Sequence, residues 1–238
     1  MELSKRLQAV ADMVSVGNRA CDAGCDHGYV SIYLVQKKIC PGVIAMDVNA
    51  GPLAQAKTHI EAYGLSEYIE TRLSDGVTAL SVGEADSLIL AGMGGRLVIK
   101  ILTDGKEKIS RMKELILQPQ SEIETVRAFL REIGYVISEE NMVFEDGKYY
   151  PMIKATRVSE KECTEENLVQ TAYDRYGKLL LQKKHPVLHQ FLLWEQKKDE
   201  AVLSALKQGA AKETPRGQER LEELRRVAEI RDYALSFF

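Results

Sequence analysis

Arg19-Ala20-Cys21-Asp22-Ala23-Gly24-Cys25-Asp26-His27-Gly28-Tyr29 carries a short apolar run across two glycines and into a helical one. Read outward from it, β-prone runs at Arg19 to Ala23, Gly42 to Asp47, Ile69 to Leu73, Ser87 to Ala91 and Glu114 to Gln118 alternate with helical stretches. These lie near Tyr29 to Gln36, Pro52 to Tyr63, Arg96 to Leu102 and Glu122 to Ile133. Such alternation predicts an α/β domain with a parallel sheet flanked by helices. After Ile133 it stops, and two extended runs, Tyr135 to Glu145 and Tyr149 to Val158, are joined by the hairpin turn signal Asp146-Gly147.

A mostly parallel sheet closed by an antiparallel hairpin differs from the dehydrogenase order, whose strands continue in parallel, and matches the Rossmann-like order of class I methyltransferases. In such a sheet the loop after the first strand meets the cofactor. Gly24 permits a tight turn off the strand, and Gly28 is expected to let the helix start close to a ligand that a side chain would strike. A full GxGxxG phosphate cradle is missing. Asp22 and Asp26 would repel a pyrophosphate but tolerate a sulfonium and an amino group, which favours S-adenosylmethionine over a nicotinamide dinucleotide. Asp47, with Val48 behind it, ends the second strand about 20 residues on, where a carboxylate accepts from ribose hydroxyls of either cofactor. Asp75, in Ser74-Asp75-Gly76 after the third strand, is placed to face an adenine amino group; a plain Asp-Gly turn is the competing reading.

The fourth strand runs into Gly92-Met93-Gly94-Gly95, an opening for a flat substrate at the carboxyl edge of the sheet. The Asn-Pro-Pro-Tyr motif of many amino-methylating enzymes is absent there, so the target nitrogen is expected to differ.

Leu3-Ser4-Lys5-Arg6-Leu7, the Asp22 to Tyr29 loop, Ala91-Gly92-Met93-Gly94-Gly95 and Gln118-Pro119-Gln120 together resemble the TrmK family, bacterial tRNA (adenine-N1)-methyltransferases. The resemblance covers nearly the whole chain, the tail by its character alone. It implies S-adenosylmethionine as cofactor, tRNA as partner, and N1 of adenosine 22 as target, which no spacing shows. Cys25 departs from the small or serine-like residue expected in the loop and is given no chemistry.

Methyl transfer to a ring nitrogen needs alignment of donor and acceptor and no covalent nucleophile. The target base must be splayed from the RNA and held by stacking and edge hydrogen bonds. Asp26 is the first candidate to stabilise charge or take a proton, with His27 beside it; Tyr29, Gly92, Met93, Gly94, Gly95, Gln118 and Pro119 are candidate substrate contacts. The cofactor set is Asp22, Gly24, Cys25, Asp26, Gly28, Asp47, Val48, Asp75, Gly76 and Gly92, with no metal. His27 bonded to backbone and Tyr29 as core or cofactor wall are the competing structural readings.

With 238 residues, 45% of them hydrophobic, the chain has enough apolar surface for a real core. No apolar run is long enough to span a bilayer and no signal-peptide core follows Met1 to Arg6, so a cytoplasmic protein is expected. Cys21, Cys25, Cys40 and Cys163 match no zinc spacing and are expected as free thiols. The net charge of -3 confines RNA contacts to local clusters such as Lys37-Lys38, the basic residues from Lys106 to Lys113, Lys183-Lys184, Lys197-Lys198 and Arg225-Arg226.

From Ser159 to Phe238 apolar residues recur at helical spacing, predicting two or three long helices broken at His185-Pro186 and Thr214-Pro215. An S-adenosylmethionine-binding domain over 1–158 and a coiled-coil-like domain over 159–238 are therefore expected, the latter binding RNA or making a weak dimer of an otherwise monomeric chain. A small-molecule methyltransferase and a non-catalytic adenosine-binding module remain open at this point; Asp26 and the hairpin ending disfavour a dehydrogenase.

Overall fold

The computed structural model describes residues 1–157, 167–208 and 214–238, and the chain divides into two compact units, Met1–Glu162 and Cys163–Phe238. The expected boundary at Val158 and Ser159 lies outside the described residues, as does Cys163.

In the first unit the elements run α1 (Lys5–Asp12), β1 (Ala20–Ala23), α2 (Tyr29–Gln36), β2 (Val43–Asp47), α3 (Ala50–Ala62), β3 (Ile69–Leu73), β4 (Ser87–Met93), α4 (Gly95–Asp104), α5 (Lys106–Ile109), β5 (Glu114–Pro119), α6 (Ile123–Glu132), β6 (Tyr135–Glu145) and β7 (Lys148–Arg157). They form one seven-stranded sheet in the order β3-β2-β1-β4-β5-β7-β6. The first five strands are parallel, whereas β7 runs antiparallel to both β5 and β6. Strand order reverses between β1 and β4, which opens a crevice at their carboxyl ends.

Alternate side chains of the central strands enter opposite cores. Ile44, Leu88, Leu90, Leu115 and Leu117 pack with Val98, Leu102, Val126 and Leu130 of α4 and α6. On the other face Ala45, Ile89 and Ile116 join Val10, Ile32, Leu34, Ala56 and Ile60 of α1, α2 and α3. Burial on both faces explains why these strands read as continuous apolar runs. Arg127 of α6 and Glu140 of β6 form a buried ion pair at 2.8 Å.

Helices α1 and α5 are additions to the elements expected from sequence. Ser4 caps α1 by accepting from the Leu7 N–H. Its first turn is also held from a distance, since the two oxygens of Glu145 accept from the backbone N–H of Lys5 (2.7 Å) and of Arg6 (3.3 Å). A carboxylate there satisfies donors with no helical partner and complements the helix dipole.

The second unit contains four described helices, α7 (Leu168–Tyr176), α8 (Lys178–Gln182), α9 (Pro186–Gln208) and α10 (Pro215–Leu235). Both proline breaks are present, and Gly177 at φ 92° adds one that raises the expected two or three helices to four. Arg231 pairs with Asp199 at 2.5 Å and His189 stacks on Phe238, so α9 and α10 run antiparallel. Leu180, Leu181, Leu188, Leu192, Leu224 and Ala234 are buried, whereas Lys183, Lys184, Lys197, Lys198, Arg225 and Arg226 are exposed. No described helix is long and apolar enough to cross a membrane.

Candidate active site

The site is built first from the turn between β1 and α2. Gly24 adopts φ +80° and a Cβ there would lie 2.3 Å from Cε of Met93. The backbone N–H groups of Gly24 and Cys25 both donate to the carbonyl of Met46, at 2.8 and 2.9 Å. Glycine at 24 therefore serves two demands, a left-handed backbone and the passage of a side chain from the β4 turn. Gly28 also has positive φ, but a Cβ on it would meet Ala56 of α3 at 3.1 Å. Helix packing and backbone angle thus both call for glycine at position 28.

The acids differ sharply in setting. Asp22 is buried and accepts from the Ser31 hydroxyl at 2.7 Å. Burial pushes its carboxyl up to about 6, against the opposing pull of that hydrogen bond. Asp26 is exposed and left-handed, with φ 52°. Its backbone N–H donates to Asp47 Oδ2 at 3.2 Å, while Asp47 Oδ1 accepts from Asn49 N–H at 2.8 Å. Asp47 thus joins the ends of β1 and β2, and each carboxylate oxygen keeps a lone pair for a further donor. Val48, next to it, is exposed. Cys25 is buried, and burial pushes its thiol far above the usual range, with Asp22 and Asp47 adding to the effect; it stays an unreactive thiol.

His27, Tyr29 and His59 form an aromatic group over the start of α2. Tyr29 stacks on His59 with ring centroids 5.1 Å apart, and His27 lies 5.8 Å from Tyr29. Nδ1 of His59 donates to the His27 carbonyl at 3.1 Å, because a carbonyl only accepts. The ring of His27 places Nε2 3.5 Å from Asp26 Oδ1, and its buried Nδ1 has no hydrogen-bond partner among the described residues. The backbone-bonded reading of the His27 ring therefore does not hold here. His59 had no signal in any motif; it lies near one helical turn past Ala56, on α3.

The second half is the β4 turn and the end of β5. A bulge between Ala91 and Met93, with Gly92 at φ +80°, carries β4 two residues beyond the expected Ala91. A Cβ on Gly95 would lie 2.5 Å from the Ser121 carbonyl, and one on Gly94 would lie 3.2 Å from the Ser121 hydroxyl. These two glycines admit the loop that follows β5. Gln118 is fully buried, and its Oε1 accepts from Gly92 N–H at 3.1 Å and from Arg6 Nη1 at 3.0 Å. Pro119 closes β5 in register with Met93. Arg6, Ser121 and Glu145 take part here without having been singled out as site residues in sequence.

Ser74 N–H donates to the Asp47 carbonyl at 2.9 Å, which carries Asp75 to the same edge. Asp75 is exposed, and a Cβ on Gly76 would meet Ile101 at 2.9 Å. The set as a whole is acidic, and the N–H groups of Gly24, Cys25 and Asp26 are already committed to the Met46 carbonyl and to Asp47. Asp47 has spare acceptor capacity for vicinal hydroxyls, and Asp26 and Asp75 face solvent. That donor and acceptor set fits an adenosine carrying a cationic group.

Comparison with known proteins agrees. The family described as Methyltransferase domain matches residues 3–153. A tRNA (adenine(22)-N(1))-methyltransferase of Bacillus subtilis (strain 168) is 32% identical over 224 residues, 94% of this chain and 93% of that protein. The crystal structure of the B. subtilis m1A22 tRNA methyltransferase TrmK superposes with a TM-score of 0.85 at 30% identity, covering 98% of this chain and 99% of that one. Streptococcus pneumoniae Sp1610, solved in complex with S-adenosyl-L-methionine, gives 0.83 at 31% identity over 98% of this chain and all of that one (100%). With the sheet order, the acidic turn and this similarity over both units in hand, the chain belongs to the TrmK family of class I methyltransferases.

Proposed function

We propose that the chain transfers a methyl group from S-adenosylmethionine to N1 of the adenosine at position 22 of tRNA, the activity carried in the name of its B. subtilis relative. The observation that carries the reading is the meeting of two loops at the switch point. The acidic turn after β1 touches the glycine turn after β4 through Gly24 and Met93. One loop suits the donor and the other a flat acceptor.

S-adenosylmethionine supplies, when bound, an electrophilic methyl group that neutral adenine N1 takes in an in-line displacement. Asp47 accepts from the ribose hydroxyls and Asp75 from the adenine amino group of the donor. Gly24, Cys25, Gly28, Val48, Gly76 and Gly92 shape that site, and Asp22 supports the turn from beneath. Gly92 to Gly95, with Pro119, form the face against which the target base lies, and Gln118 acts through Gly92. Tyr29, on its His59 support, offers a stacking surface. Methylation leaves the target ring cationic and N6 more acidic, so an exposed carboxylate lowers the energy of that charge. Asp26 takes this role, and His27 beside it sets its hydrogen bonding. Tail lysines and arginines supply RNA contacts through phosphate neutralisation.

Incubation with methyl-labelled S-adenosylmethionine and unmodified tRNA, followed by digestion to nucleosides, tests the reading. Label in 1-methyladenosine that falls at least about 100-fold with Asp26→Ala is expected, from the usual worth of one acid or base group. Cofactor binding without labelled RNA overturns it and points to a small-molecule acceptor.

A further inference from the structure

Arg6 is half-buried in the first turn of α1, and among the described residues it has no acidic side chain as ion-pair partner. An arginine taken partly out of water normally finds a carboxylate, because its desolvation is otherwise uncompensated. Here Nη1 instead donates to a neutral amide oxygen, Oε1 of the fully buried Gln118, at 3.0 Å. That same oxygen accepts from Gly92 N–H at 3.1 Å, so two donors fix which end of the amide is oxygen. Tyr150 of β7 lies against the guanidinium, with Cζ 5.5 Å from the ring centroid. A Cβ on Gly92 would lie 3.6 Å from Nη1, which puts the guanidinium beside the bulge at the carboxyl edge of the sheet. Glu145 does not neutralise it; its two oxygens engage the backbone of Lys5 and Arg6 and lock the helix turn from which Arg6 projects. Amide, ring and backbone together orient a cation whose remaining N–H donors have no acceptor among the described residues.

Resting on the function proposed above, we infer that Arg6 is an anion subsite for the phosphodiester of the target nucleotide. A flat guanidinium fork matches two phosphate oxygens. Base chemistry points the same way. A cation beside the adenine ring would raise the energy of the cationic methylated product, so Arg6 belongs on the negatively charged end of the nucleotide. Gln118 is then a positioning residue that holds the fork and the Gly92 amide in one arrangement. The competing oxyanion of the same chemistry is the carboxylate of the methyl donor.

The test compares wild type, Arg6→Ala and Arg6→Lys in tRNA binding across a salt series, in S-adenosylhomocysteine binding, and in thermal unfolding. Arg6→Ala should weaken tRNA binding about 10- to 100-fold and reduce the slope of log affinity against log salt by about one, the signature of one lost phosphate contact. Arg6→Lys should recover the slope but only part of the affinity, since charge returns without the fork. S-adenosylhomocysteine affinity and melting temperature should stay within about twofold and about 2 °C of wild type. An unchanged salt slope in folded Arg6→Ala overturns the inference, as does a loss confined to S-adenosylhomocysteine, which assigns Arg6 to the donor carboxylate. Failure of the underlying reading would show in wild type itself, as tRNA bound without methylation.

Discussion

The side chain of Asp47 accepts the backbone N–H of Asp26 at 3.2 Å, so one carboxylate at the end of β2 sets the position of the exposed acid in the first turn. Loss of that side chain should therefore be felt twice. Asp47→Ala is expected to weaken cofactor binding about 100- to 10000-fold, from two hydrogen bonds to a charged acceptor. Asp47→Asn, which keeps one acceptor oxygen, should lose less. Isothermal titration with S-adenosylhomocysteine decides, and a dissociation constant for Asp47→Ala within threefold of wild type would remove Asp47 from the ribose site.

Asp22 makes the protein's stability depend on pH in a defined direction. Its folded value of about 6 lies above the ordinary 3.8, so its contribution is fully present below about pH 3.8 and is lost as pH rises through about 6. Asp22→Asn removes the ionisable proton while keeping a partner for Ser31. The variant should melt higher than wild type at pH 8, by the equivalent of about 1–3 kcal/mol, and the gap should close at pH 4. Equal gaps at both pH values would contradict it.

Gly24→Ala places a methyl group both at positive φ and against Met93. The backbone conflict alone costs about 1–2 kcal/mol. Pairing the substitution with Met93→Ala relieves the overlap and leaves the backbone strain, so only part of the stability should return in urea unfolding. Full recovery would show that the overlap, and not φ, makes glycine necessary.

The Arg127–Glu140 pair joins α6 to β6 in full burial. Arg127→Met takes this cation away from a buried carboxylate and should cost about 3–5 kcal/mol, whereas the double variant Arg127→Met with Glu140→Leu should cost less. A double-mutant cycle by chemical denaturation measures this; additive losses would show that the two side chains act independently.

The strands β1, β2, β4 and β5 were legible because a sheet buried on both faces writes them as apolar runs, and β3, α2 and β6 end where the pattern says. Asp146-Gly147 announced the hairpin and Pro186 and Pro215 the breaks in the tail, since both signals are local. What could not be read was tertiary. Arg6 enters the site because Glu145 and Gln118 hold it, and neither neighbour is near it in sequence. The crowding at Gly28 comes from Ala56 of α3, which no local signal announces. Asp22 and Asp26 look alike in a motif, yet one is buried against Ser31 and the other faces solvent.

The hold of Glu145 on the backbone of Lys5 spans 140 positions of sequence. During synthesis at about 5–20 residues per second, the first turn of α1 is made roughly 7–28 s before the acid that fixes it. A nascent chain thus carries Arg6 early but lacks the Glu145 hold on its backbone until the hairpin arrives, and truncated products that stop before β6 lack that anchor. Final placement of the first turn of α1 is in this way deferred to the last strands of its own unit.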